Sequence, residues 1–108
     1  MKKNRYPLEI IRNALPQDEL LCQLAEEAAE LAQAALKLRR AYTGINPTPV
    51  TAQEAFEGLL EEKADVQTCI AALGFDRCID EMRVARIQTQ KMERWAERLK
   101  GAGNVETD

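Results

Sequence analysis

Five carboxylates stand out in the 108-residue chain: Glu26, Glu27 and Glu30 in "LAEEAAELAQAAL", and Glu62 and Asp65 in "EEKAD". Along the chain, the nearest basic residues to the first three are Arg12 and Lys37. The segment from 17 to 36 therefore lacks the Lys and Arg that normally form i, i+4 pairs with helix glutamates. Any one glutamate on a helix is most simply a solvated surface residue. Two i, i+3 acid pairs on apolar faces call for another account. At about 100° per residue, Glu27 falls roughly 20° from Leu20 and 40° from Leu31, with Glu30 about 60° further round. Glu62 falls roughly 20° from Ala55 and 40° from Val66, and Asp65 about 40° from Cys69. Like charges 4 Å apart repel by about 4 kcal/mol at an effective dielectric of 20. Acids gathered on such faces must either take up protons or share a cation. An all-oxygen donor set suits a hard ion, Mg²⁺ with Mn²⁺ as a substitute, and such ions are commonly completed by water and phosphate.

The elements that position these acids read as helices. Pro7 opens a short helix over 7–14, and Pro16 marks a second start, with Gln17, Asp18 and Glu19 in its first turn. Leu20, Leu24, Leu31, Ala35 and Leu38 recur near a 3.6-residue period and predict a core stripe running to about Ala41. Residues 42–50, with Gly44, Pro47 and Pro49, read as a loop. Thr51 and Glu54 form a capping-box pattern ahead of a helix carrying Ala55, Leu59, Val66, Ile70 and Leu73. Gly74 is its expected left-handed stop, and Asp76 the expected cap of a third long helix over 77–100, ended by Gly101. The fold expected is an all-α antiparallel helix bundle of one short and three long helices. It forms a single domain over 1–100, with a disordered tail over 101–108. With helix ends near Ala41 and Thr51, an antiparallel hairpin sets Glu27 and Asp65 about 21 Å from the loop, and Glu30 and Glu62 about 17 Å.

Composition narrows the chemistry further. The chain has no histidine, which removes Ser-His-Asp and Cys-His catalysis and His-ligated metals. A net charge of −3 argues against coating nucleic acid. Cys22, Cys69 and Cys78 are odd in number and lack C-x-x-C spacing, so they read as buried structural residues in a reducing compartment. Arg5, Glu9 and Arg12 interrupt any signal-peptide run, and no stretch reads as a membrane span, so a cytoplasmic protein is expected. Residues 76–100 hold seven basic and five acidic residues, against eight and thirteen elsewhere. There Lys91 lies about 40° from Ile87 and from Trp95, and Arg98 about 20° from Lys91. This face is open to two readings: a triphosphate clamp of Lys91, Arg94 and Arg98, or an ordinary helix with Lys91 and Arg94 paired to Glu93 and Glu97. Tyr42, Phe56, Phe75 and Trp95 are read as core, each with the chemistry to stack on a base, and no base-binding residue is assigned.

Glu26-Glu27-x-x-Glu30 followed by Glu62-x-x-Asp65 resembles the signature of the all-α nucleoside triphosphate pyrophosphatases, the MazG-like proteins. The resemblance covers roughly 17–75 and continues more weakly to Lys100. The interval between Glu30 and Glu62 is longer than is usual in that family, and 42–50 holds the excess as a loop. The resemblance implies Mg²⁺-dependent hydrolysis of a (deoxy)nucleoside triphosphate to monophosphate and pyrophosphate, as in house-cleaning of the nucleotide pool. It implies metal binding by Glu27, Glu30, Glu62 and Asp65, with Glu26 as water-orienting base or outer-shell ligand. A basic stretch in related proteins supports the clamp, and phosphoribosyl-ATP pyrophosphohydrolases share the likeness. The resemblance also implies a homodimer or homotetramer. The alternative is a non-catalytic helical interaction or regulatory module whose acidic cluster is vestigial.

Overall fold

The computed structural model describes residues 6–44 and 49–103. The expected loop residues 45–48 and tail residues 104–108 lie outside the described residues. The protein is all-α: α1 (Tyr6–Ala14), α2 (Gln17–Thr43), α3 (Ala52–Leu73) and α4 (Cys78–Gly101), with no strand among the described residues. No helix among them is long and apolar enough to cross a membrane. The chain divides into two units after Phe75: α1–α3, and α4.

In the first unit, α2 and α3 pack as an antiparallel hairpin whose buried residues are Leu20, Ala55, Cys69 and Ala72. Leu24, Leu31 and Leu38 are half-buried along the expected stripe, whereas Ala35 is exposed and Ala34 is turned inward instead. Helix α2 outlasts the expected end by two residues, taking in Tyr42 and Thr43. It stops where Gly44 adopts a left-handed φ of 68° and returns its N–H to the Arg40 carbonyl. The start of α3 forms as expected: Thr51 Oγ1 accepts from the Glu54 N–H at 3.1 Å, and Glu54 accepts from the Thr51 N–H at 2.9 Å. Those bonds hold the Glu54 carboxyl below its ordinary pKa. Gly74, at φ 75°, ends α3. Helix α1 is tied to that end by Arg12, whose Nε donates to the Ala72 carbonyl at 3.1 Å and Nη2 to the Ala71 carbonyl at 2.7 Å. A guanidinium there satisfies carbonyls that the last helical turn leaves open.

The second unit corrects the expected cap. Asp76 does not cap α4. The N-cap is Arg77, whose N–H is accepted by Asp80 at 3.3 Å while its Nε reaches the same oxygen at 2.8 Å. The pair lowers the Asp80 pKa, chiefly through that side-chain hydrogen bond. A carboxylate three residues into the helix thus performs the role expected of Asp76. Gly101 is helical, and the left-handed glycine past the end is Gly103. No residue of α4 is buried.

Two further expectations fail. Cys22 and Cys78 are exposed, and only Cys69 is buried. Tyr42, Phe56, Phe75 and Trp95 are exposed rather than core. Within α1–α3 the packed seam is narrow and lined by Leu, Ala and Cys69, so Cys22, Tyr42 and Phe56, off that stripe, stay outside it.

Candidate metal centre

The carboxylates that meet are Glu27, Glu30 and Glu62. Each offers an oxygen, and the three oxygens all lie within 4.8 Å of one another. Helix periodicity accounts for the convergence. Glu27 and Glu30 are one turn apart on the inner edge of α2, and Glu62 stands on the facing edge of α3. Glu27 and Glu62 are half-buried, whereas Glu30 is exposed.

Little in the protein compensates these charges. Among the described residues no Lys or Arg pairs with any of the three. Gln23 Nε2 donates to Glu27 Oε1 at 3.0 Å, one turn back on α2. Glu27 Oε2 and Glu62 Oε2 are buried without a hydrogen-bond partner. A buried acceptor without a donor is costly, and an ionised one more so. The Glu62 pKa is raised, first by burial and then by the adjoining Glu30 carboxyl. The nearby charges of Glu30, Asp65 and Glu27 push it further. Cys69 lies beside the group, and its thiol pKa is raised by burial and then by Glu27 and Asp65.

The other expected site residues are placed as follows. Asp65 is exposed and supplies no oxygen to the group of three, although its charge is felt by Glu62 and Cys69. Glu26 is exposed on α2, next to Glu27. Lys91, Arg94 and Arg98 are exposed on α4. Of the two readings of this face, the pairing of Lys91 and Arg94 with Glu93 and Glu97 does not form, and Glu97 meets Lys100 at 3.7 Å. The sequence reading did not pick out Gln23, which orients Glu27. Its signal was its place four residues before that glutamate.

No protein-family model, no curated protein and no solved structure matches this chain.

Proposed function

We propose that the protein is a Mg²⁺-dependent nucleotide pyrophosphohydrolase, releasing pyrophosphate from a (deoxy)nucleoside triphosphate on a MazG-like helical scaffold. One observation carries this reading: three carboxylate oxygens within 4.8 Å of one another, with two buried oxygens left unpartnered. The donor set fits a hard divalent cation, since it is all oxygen and carries charge that no side-chain cation offsets. Glu27, Glu30 and Glu62 would hold the ion, with Asp65 at the margin of the group. Bound there, the ion would supply charge stabilisation for the phosphate oxygens and polarise water.

The chain's own groups account for the remaining roles. Gln23 holds one Glu27 oxygen at 3.0 Å, and the other is buried without a partner. Because the Glu62 pKa is raised, a cation entering the cluster would compete with protons for that carboxylate, and loading would be coupled to pH. Glu26, exposed beside Glu27, is the candidate to take a proton from the attacking water or to orient it. Lys91, Arg94 and Arg98 remain candidates for the phosphates, since their side chains have no partner among the described residues.

A panel of nucleoside triphosphates, scored for monophosphate and pyrophosphate with and without Mg²⁺, tests the proposal. Metal-dependent pyrophosphate release that is lost in Glu62→Gln supports it. A folded chain that releases pyrophosphate from no nucleotide would instead favour the non-catalytic helical module. The exposed apolar residues Ile79, Met82, Ile87, Met92 and Trp95 of α4 suit that second reading.

A further inference from the structure

Next to the carboxylates, a cleft of about 350 Å³ opens between α2 and α3. This is within the lower part of the range for small-molecule sites. Glu30 and Glu62 stand at one end. Along α2 the lining continues through Ala34 to Lys37 and Arg40, with Gly58 on the α3 side. Lys37 is two turns beyond Glu30, about 10 Å along the axis and roughly 20° round it, and Arg40 is about 15 Å along. Cα–Cβ bonds in a helix tilt toward its N-terminus, so the stems of Lys37 and Arg40 leave the backbone tilted toward the Glu30 end of α2. Ala34 and Gly58 keep the middle of the cleft open, and a Cβ added at Gly58 would meet nothing within 4 Å.

The two cations are available. Neither side chain makes an ion pair or hydrogen bond among the described residues, although Arg40 is half-buried. The one further carboxylate on the cleft wall, Glu54, is engaged in the cap of α3 through Thr51. The cleft thus has a pole of carboxylates, an uncharged waist and a pole of unpaired cations. A neutral ligand leaves both poles unanswered, and a simple cation answers only the first. A phosphoanhydride chain answers both: one end shares a divalent ion with Glu30 and Glu62, and the other lies against ammonium and guanidinium donors.

We propose that Lys37 and Arg40 bind the phosphate chain of the substrate, which lies in the α2–α3 cleft and runs along α2 from the carboxylates toward the end of that helix. The proposal rests on the metal-centre reading of Glu27, Glu30 and Glu62.

The test is calorimetric titration of the full chain, first with Mn²⁺ alone and then, in saturating Mn²⁺, with inorganic pyrophosphate. The double variant Lys37→Gln/Arg40→Gln is expected to lose at least tenfold in pyrophosphate affinity while its Mn²⁺ affinity stays within about twofold of wild type. Gly58→Leu, which fills the waist without changing charge, is expected to weaken pyrophosphate in the same way, and Lys37→Arg to retain it. Circular dichroism checks that each variant stays helical. Wild-type pyrophosphate affinity in the double variant, with Mn²⁺ binding intact, would overturn this inference and leave the metal-centre reading standing. Failure of the wild-type chain to bind Mn²⁺ would overturn both.

Discussion

Helices α3 and α4 are nearly equal in length, at 22 and 24 residues, yet they handle polar and apolar groups in opposite ways. On α3, Ala55, Cys69 and Ala72 are buried, and Glu62 is carried into the α2 seam along with them. On α4 nothing is buried, its charged residues are paired or solvated, and Trp95 is 61% exposed. Charge at a packed seam is difficult to hold and therefore informative, whereas charge on an open helix is ordinary. A helix gains most of its stability from tertiary packing of an apolar face, so the exposed Ile79, Met82, Ile87 and Trp95 are where we propose that the expected homo-oligomer would bring in a second copy of the chain.

The sharpest way to break this contrast is to neutralise the seam. Glu27→Gln, Glu30→Gln and Glu62→Gln are each expected to reduce turnover at least a hundredfold while the far-ultraviolet dichroism stays helical. The melting temperature of the metal-free protein should hold or rise, because like-charge repulsion falls. Asp65→Asn, outside the group of three, should cost less. Near-wild-type turnover in the first three would remove the metal centre.

On α4, the contrast is tested through assembly. Light scattering at micromolar concentration is expected to give a multiple of the 12.2 kDa chain mass, and Trp95→Glu with Ile87→Glu to shift it to the single mass. Monomeric, active wild-type protein would refute the second-copy reading. For the α4 cations, Lys91→Ala is expected to alter KM or kcat by tenfold, about 1.4 kcal/mol. Unchanged kinetics would leave phosphate binding to Lys37 and Arg40 alone.

Smaller effects separate the two kinds of carboxylate. Thr51→Ala should destabilise the protein by about 1 kcal/mol in urea unfolding, through loss of the α3 cap, without affecting metal binding. The pH dependence has a defined sign. The raised Glu62 pKa means that the folded chain holds its proton more tightly than the unfolded chain does. Metal-free stability should therefore increase as pH falls from neutrality toward the ordinary glutamate value of 4.5, and the gain should vanish in Glu62→Gln. Glu54 and Asp80, with lowered pKa values, act oppositely, and their contributions are lost only as pH falls below 4.5 and 3.8. A melting series in acid should thus pass through a maximum, and saturating Mg²⁺ should remove its upper limb. A monotonic fall from pH 7 downward would contradict the Glu62 assignment.

The sequence by itself determined the helices and singled out the acids that lie within apolar stripes. Local rules were enough for this: an apolar period near 3.6, the Thr51–Glu54 cap, the left-handed Gly74, and acids placed within an apolar stripe where no Lys or Arg offsets them. Where a second local rule competed, local reading failed, as at Asp76, displaced by the Arg77–Asp80 pair. Only the tertiary structure decided that Glu27, Glu30 and Glu62 meet while Asp65 stays outside. It also decided that Cys69 alone of the cysteines is buried, and that Lys37 and Arg40 share a cleft with Glu30. These depend on the register and separation of α2 against α3. A shift of one residue turns a side chain by about 100°, which no periodicity within a single helix can fix.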